Sequence, residues 1–152
     1  MINATSSPEC PHFPVMLDQV IKICSPDNGG VYIDCTFGGG GYSKKLLKFS
    51  KTKVIALDRD EFIINISKEL EKNYPNRFFF HKKKFSEVNT VLDKQYVDAV
   101  VFDLGLSSIQ LNNLERGFSF NSTEKLDMSM GLSTISAEKV VNSLSEQKLK
   151  SI

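Results

Sequence analysis

The sequence lacks a long hydrophobic run, and no stretch approaches the roughly 20 apolar residues that a membrane-spanning helix needs. Residues 1–9 carry neither a basic segment nor an apolar one, so we expect no secretory signal and a cytoplasmic location. Apolar residues make up 41% and charged residues 24% of the 152 positions, which is typical of a soluble chain with a single core.

Cysteine is scarce, with three in the whole chain. Cys10, Cys24 and Cys35 are widely spaced and form no C-x-x-C pair, so the sequence suggests neither a disulfide framework nor a zinc site. Cys10 lies close to His12, but two ligands do not make a metal site, and we expect no bound metal.

The sequence also lacks an excess of either charge, because its net charge is +1. Proteins that bind nucleic acid through phosphates usually carry a basic excess or a basic face. The run of lysines at 82–84 is better interpreted as a solvated turn. Charge alone therefore predicts no nucleic-acid partner.

Short apolar runs alternate with amphipathic stretches along the chain. Runs that are β-branched or aromatic predict strands at residues 31–35, 53–57, 77–81 and 97–102. Helical periodicity predicts helices at residues 15–24, 42–49 and 61–74, and more weakly at 86–92. Strands that alternate with helices pair in parallel, so we expect an α/β doubly wound sheet.

The alternation ends after the fourth predicted strand. Residues 103–130 are rich in Ser, Asn, Gly and Leu without a clear period, which predicts a long irregular segment. Residues 136–152 have an apolar face at helical spacing, and Ser136 is the expected N-cap of one helix.

Four consecutive glycines, at residues 38–41, lie between the first strand and the following helix. Glycine there allows a sharp turn and the close approach of a ligand. Asp58 ends the second strand, where a carboxylate can accept hydrogen bonds from both hydroxyls of a ribose. The alternative is a tight turn with a helix-capping Asp, but the order of the elements favours an adenosine-containing cofactor.

The residues leave the choice of cofactor open. In the dinucleotide pattern G-x-G-x-x-G/A the last position would fall on Ser43, so the match is partial. S-adenosylmethionine is favoured over a nicotinamide cofactor by a modest margin.

Longer strings are more specific than the glycine loop. They are D-C-T-F-G-G-G-G-Y-S at 34–43, A-L-D-R-D at 56–60, F-D-L-G-L-S-S-I-Q-L at 102–111, E-R-G-F-S-F at 115–120 and L-D-M at 126–128. With these strings the sequence resembles the bacterial 16S ribosomal RNA cytosine-N4 methyltransferases of the MraW/RsmH type, from His12 to its end. Two positions depart from that family's pattern: Tyr42 stands where many members have His, and Ser129 where an Arg is expected.

The resemblance implies a Rossmann-like class I S-adenosylmethionine-dependent methyltransferase fold, here only its first four strands followed by the start of a helical insertion. Residues 1–110 would then be the N-terminal part of the methyltransferase domain. Residues 111–152 would be a loop and the first helix of a truncated inserted helical domain. Because the family's sheet continues, the fourth strand is expected to be an exposed edge.

The resemblance also implies which residues contact S-adenosylmethionine. The glycine loop would offer backbone to the methionine end, Asp58 would take the ribose, and an aromatic after the third strand would line the adenine site. The implied contacts are Gly40, Gly41, Tyr42, Asp58, Phe85, Asp103 and Gln110. Phe85 could equally be a core residue.

The implied reaction transfers a methyl group to the exocyclic N4 of a cytidine in 16S rRNA of the small ribosomal subunit. Asp103 is the candidate catalytic residue, as acceptor of hydrogen bonds from the amine, with the backbone of 104–108 as an alternative. Arg116, Phe118 and Phe120 are candidates for RNA contact, through phosphate and through stacking of an unstacked base. The competing interpretation is that the two phenylalanines pin the loop to the core.

Two other hypotheses stay open beside the methyltransferase. One is a truncated, catalytically silent fragment that retains cofactor or partner binding. The other is a nicotinamide-dependent oxidoreductase, against which Ser43 and the family strings argue.

Overall fold

The computed structural model describes residues 14–92, 96–132 and 135–152. The Cys10 and His12 pair lies outside the described residues. No helix in these ranges is long and apolar enough to cross a membrane.

Parallel strands in one sheet form the centre of the fold. They are β1 (Gly30–Asp34), β2 (Thr52–Asp58), β3 (Phe78–Lys82) and β4 (Ala99–Val101). Their order across the sheet is β3-β2-β1-β4, and each neighbouring pair is parallel. The predicted α/β Rossmann-like sheet is therefore confirmed, with strand ends shifted by one or two residues. β4 lies at one edge, and no strand among the described residues pairs with its outer side.

A helix follows β1 and another follows β2, as the alternation predicts. The α-helices among the described residues are α1 (Leu17–Cys24), α2 (Gly41–Leu47), α3 (Ile64–Asn73), α4 (Ser108–Asn112), α5 (Ala137–Ser143) and α6 (Glu146–Leu149). Short 3₁₀ turns lie at Pro26–Asn28, Glu61–Ile63, Phe85–Thr90 and Leu114–Arg116.

Two stretches fold differently from the predicted helices. The stretch at 86–92 forms the 3₁₀ turn Phe85–Thr90 instead of an α-helix. The single helix predicted at 136–152 is two helices, because Leu144 is extended and the Ser145 hydroxyl accepts a hydrogen bond from the Lys148 N–H. A serine that caps a new helix competes with continuation of the old one.

The segment 103–130 is less irregular than predicted, because it contains α4. The Ser107 hydroxyl accepts from the Gln110 N–H at 3.3 Å, and the Gln110 side chain accepts from the Ser107 N–H at 2.9 Å. This capping box has the sequence signature S-x-x-Q, which could have revealed the helix. The domain division predicted after residue 110 stays a prediction, and α4 spans that position.

The main core lies on the face of the sheet that α1, α2 and α3 cover. Leu46 and Leu47 of α2 are fully buried against side chains such as Tyr32 and Val54 of the sheet. Phe37 lies between the rings of Phe78 and Phe80, with 5.5 Å between centroids in both pairs. Burial of each such side chain stabilises the fold by about 1.5–3 kcal/mol.

The opposite face of the sheet has a thinner cover. Ile33, Cys35, Ile55 and Leu57 form its buried cluster. The segment between β3 and β4 covers them with Val88, Val91, Leu92 and Val97. Side chains alternate between the two faces along each strand, so the nearly continuous apolar runs supply both clusters.

Candidate cofactor site

Just beyond the end of β1, the backbone donates hydrogen bonds first to the strand on one side and then to the strand on the other. The Cys35 N–H donates to the Val101 carbonyl of β4 at 2.9 Å, whereas the Phe37 N–H donates to the Leu57 carbonyl of β2 at 3.0 Å. The chain leaves β1 toward β2 and later returns to its other side as β4, so a crevice opens at this end of the sheet. Ligands of doubly wound sheets bind at such a reversal point.

The Asp58 carboxylate ties the glycine loop to the end of β2. The Gly38 N–H donates to one of its oxygens at 2.8 Å, and the Asp60 N–H donates to the other at 2.9 Å. Burial raises the pKa of Asp58, and these hydrogen bonds oppose the rise. Each carboxylate oxygen can accept more than one hydrogen bond, so Asp58 retains acceptor capacity toward a ligand.

Gly40 lies where the glycine loop turns into α2. Its backbone is left-handed, with a φ of 76°, and its carbonyl accepts from the Lys44 N–H at 2.8 Å in the first turn of α2. A Cβ on Gly40 would lie 2.9 Å from the Phe37 ring. Gly41 is tight for another reason, because a Cβ there would overlap the Pro14 ring.

A cavity of about 430 Å³ occupies the crevice. Its volume is in the range of small-molecule sites. Of the residues predicted to contact a cofactor, the cavity walls include Gly41, Tyr42, Asp58, Phe85, Asp103 and Gln110. Gly40 is not among the described residues that line it.

Two aromatic residues contribute differently to the walls. Tyr42 is buried, and its hydroxyl donates to the Val15 carbonyl. Its pKa is raised mainly by burial and to a smaller extent by the negative charges of Asp103 and Asp34. Phe85 is 47% exposed, which excludes the alternative of a core residue, and its ring meets that of Phe102 edge to face at 5.8 Å.

Asp103 lies two residues beyond β4 and lines the same cavity as the glycine loop. Its N–H donates to the Thr36 hydroxyl at 2.7 Å, which joins the loops that follow β4 and β1. Its half-buried side chain lines the cavity. Within the described ranges no cluster of three or more His, Cys, Asp or Glu side chains could hold a metal ion.

Asp34, at the end of β1, is a buried acid that the sequence analysis did not single out. The Ser43 hydroxyl donates to one of its oxygens at 2.7 Å, and the Thr36 N–H donates to the other at 3.3 Å. Burial raises its pKa to about 6, against those hydrogen bonds. The acid that ends the first strand could have been found from its position alone, and Ser43 has a structural role there.

A second network behind the cavity was also missed. Asp60 is buried, and one of its oxygens accepts from Gln110 Nε2 at 2.9 Å and from Arg116 Nη1 at 2.8 Å. Burial alone would raise the pKa of Asp60, but these hydrogen bonds outweigh it and the pKa is lowered. Gln110 therefore reaches the cavity wall while it holds Asp60.

The three candidates for RNA contact occupy different environments. Arg116 is 5% exposed and Phe118 is 8% exposed, so both lie inside the protein. Phe120 is fully exposed. The structure thus brings Arg116 to the back of the cavity and leaves Phe120 at the surface.

A parallel sheet whose reversal point carries a glycine loop, with an acid at the end of the second strand, defines an α/β protein of the doubly wound, Rossmann-like class. The chain belongs to the MraW methylase family, whose model matches residues 9–152.

Curated relatives carry the name ribosomal RNA small subunit methyltransferase H. The chain is 42% identical to that of Ehrlichia ruminantium (strain Welgevonden) over 146 residues, which are 93% of this chain and 48% of the relative. It is 44% identical to that of a Wolbachia species over 142 residues, 91% of this chain and 48% of the relative. For Neorickettsia sennetsu the identity is 42% over 152 residues, 99% of this chain and 51% of the relative. The chain spans about half the length of these relatives.

We expect Asp34 to make the stability of the fold fall as the pH rises through its pKa. Its folded pKa of about 6 is above the ordinary 3.8, so the folded state holds the proton more tightly. That contribution is full below the ordinary pKa and is lost as the pH rises through the folded one. Between about pH 4.5 and about pH 7.5 the stability of the parent should drop, relative to that of Asp34→Asn, by roughly 2 kcal/mol.

Urea unfolding of both proteins across this pH range measures the difference. Comparison with Asp34→Asn isolates Asp34 from the other carboxylates, because those titrate in both proteins. A difference between the two proteins that does not change with pH would contradict the assignment.

Proposed function

We propose that the chain is the cofactor-binding part of an S-adenosylmethionine-dependent enzyme that methylates the N4 of a cytidine in 16S rRNA of the small ribosomal subunit. The observation that carries the proposal is that the glycine loop, Asp58 and Asp103 meet in one cavity of a chain that belongs to a methylase family. The name that these relatives carry supports an rRNA substrate and, with it, a cytoplasmic location.

The cavity fits S-adenosylmethionine in size and in the chemistry of its walls. Asp58 would accept hydrogen bonds from the ribose hydroxyls with the lone pairs that Gly38 and Asp60 leave available. Phe85 offers an accessible aromatic ring for the adenine, and Gly41 with Tyr42 would border the methionine end. Gln110 would contact the cofactor from the side of α4.

The cofactor would supply an electrophilic methyl group on its sulfonium. The N4 amine is a weak nucleophile, because its lone pair is delocalised into the cytosine ring. Asp103 would accept a hydrogen bond from that amine and so hold the nitrogen toward the cavity. Positioning of this kind can supply much of the reduction in the barrier.

The exposed Phe120 ring is the best-placed of the three candidates for RNA contact. A base released from its stack can rest on such a ring. For Arg116 and Phe118 the RNA role stays a prediction, and their burial favours a role inside the protein.

A catalytically silent form remains the second candidate, because the chain spans about half the length of its relatives. Such a form would bind the cofactor without transferring the methyl group. Incubation with small ribosomal subunits and methyl-labelled cofactor separates the two candidates. Label on the rRNA supports the enzyme, whereas no label, when a full-length relative does label it, supports the silent form.

We expect the chain to bind S-adenosylmethionine and not NAD, and Asp58→Ala to weaken that binding by about tenfold or more because the ribose acceptor and the loop anchor are both lost. Isothermal titration calorimetry with each cofactor measures this. Asp27→Ala is the matched control, because Asp27 is exposed near the opposite end of β1. Tighter binding of NAD would contradict the proposed cofactor.

We expect Asp103→Asn to lower methyl transfer by about a hundredfold or more, because the amide is a weaker acceptor and can donate toward the amine. The assay is transfer of label to small ribosomal subunits at saturating cofactor, with cofactor affinity measured in parallel. Unchanged affinity together with unchanged transfer would exclude Asp103 from the site.

We expect Phe120→Ala to weaken binding of single-stranded RNA by about 1–3 kcal/mol, the value of one base stacked on a ring. Tyr96→Ala is the control, since Tyr96 is similarly exposed at 97% but precedes β4 and is not a candidate for RNA contact. Fluorescence anisotropy with a labelled oligonucleotide measures both. Equal losses in the two variants would argue against a platform at Phe120.

A further inference from the structure

We propose that Arg116 is a positioning residue of the candidate cofactor site. Arg116 is not among the described residues that line the cavity, and its hydrogen bonds hold together separate segments that do. The inference rests on the proposed function, since the site it positions is the one proposed for S-adenosylmethionine. It assigns Arg116 a role different from contact with RNA phosphate.

The first wall is the loop that follows β2. Arg116 Nη1 lies 2.8 Å from Asp60 Oδ2, and Asp60 lines the cavity. The other Asp60 oxygen accepts from the Phe62 N–H at 3.1 Å, so the carboxylate is fixed at both ends. The position of Asp60 in the wall therefore depends on the guanidinium.

The second wall is the start of α4, which Arg116 reaches through Asp60. The oxygen that Arg116 binds also accepts from Gln110 Nε2 at 2.9 Å. The Gln110 side-chain oxygen in turn accepts from the Ser107 N–H at 2.9 Å. Ser107 and Gln110 both line the cavity, so hydrogen bonds run without a gap from Arg116 to that wall.

The third wall is the segment that contains Met130. Arg116 Nη2 donates to the Ser129 carbonyl at 2.9 Å, and the Arg116 carbonyl accepts from the Met128 N–H at 2.9 Å. Met130 lines the cavity one residue later. Both the side chain and the backbone of Arg116 thus hold this returning segment.

The surroundings of the guanidinium suit an arginine and exclude solvent. Its central carbon lies 4.2 Å from the centre of the Phe62 ring and 5.1 Å from that of Phe118. A planar guanidinium can stack on rings while its separate nitrogens bind two acceptors that lie apart, a geometry that a compact ammonium does not match. Phe118 therefore packs against Arg116, whereas the fully exposed Phe120 does not pin the loop to the core.

Arg77 provides a matched control at the opposite end of the sheet. It donates to the carbonyls of Leu47, Phe49 and Thr52, and its central carbon lies 5.5 Å from the Tyr74 ring. Like Arg116 it donates to backbone carbonyl groups and lies over an aromatic ring. Among the described residues no ion pair includes it, and neither it nor these partners line the cavity. Removal of Arg77 should cost stability and leave the site in place.

The experiment compares Arg116→Met, Arg116→Lys and Arg77→Met in the whole chain. Titration calorimetry gives the affinity for S-adenosylmethionine, thermal melting gives stability, and hydrogen exchange of the ligand-free proteins reports on residues 58–63 and 103–111. We expect Arg116→Met to lose affinity by about tenfold or more, since displaced walls misplace the ligand. Exchange should accelerate in both segments, whereas Arg77→Met should lower the melting temperature without either effect.

Arg116→Lys should fall between the parent and Arg116→Met, because it restores a positive charge beside Asp60 but not the simultaneous bond to Ser129. If Arg116→Met does not fold, the affinity and exchange of Arg116→Lys still test the proposal. Affinity and exchange in either Arg116 variant that match those of Arg77→Met would overturn the proposal. If the parent itself binds no S-adenosylmethionine, the proposed function fails, and the exchange pattern still decides whether Arg116 positions the walls.

Discussion

The hydrogen bonds that the Asp58 carboxylate accepts are the interaction on which the site depends. The loop after β1 has no regular structure of its own, and the Gly38 N–H fixes it to the end of β2 through this side chain. The same carboxylate fixes the Asp60 N–H, and with it the start of the turn where the second network begins. Without that acceptor the strands would still pair in parallel, but the glycine loop would lose its side-chain bond to the end of β2.

Two buried aspartates show how the same side chain acquires opposite properties within one site. Asp34 has neutral hydrogen-bond donors as partners, so burial dominates and its pKa rises to about 6. Asp60 receives the guanidinium of Arg116 and the amide of Gln110, so its pKa falls. Nearby charge can outweigh desolvation, and Asp60 has such a charge beside it whereas Asp34 does not.

Much of the fold could be predicted from the sequence because the strands are buried on both faces and are therefore nearly continuous apolar runs. The glycine loop and Asp58 were predictable as well, since both are local to strand ends. The ion pair between Asp60 and Arg116 was not, because it joins residues 56 positions apart and no periodicity records it. Helix α4 and the break at Leu144 were missed for a different reason, as both depend on serine caps rather than on apolar spacing. The burial of Arg116 was not predictable either, because a charged side chain is expected at the surface.

The contact between Pro14 and Gly41 constrains how this part of the molecule can change through evolution. The Cβ of any side chain at position 41 would overlap the proline ring. The two positions are 27 residues apart in sequence yet share one small volume beside the cavity. Their residue types are thus not independent choices. A side chain at 41 requires the ring at 14 to shift or to be replaced, so a change at one position acts on the other.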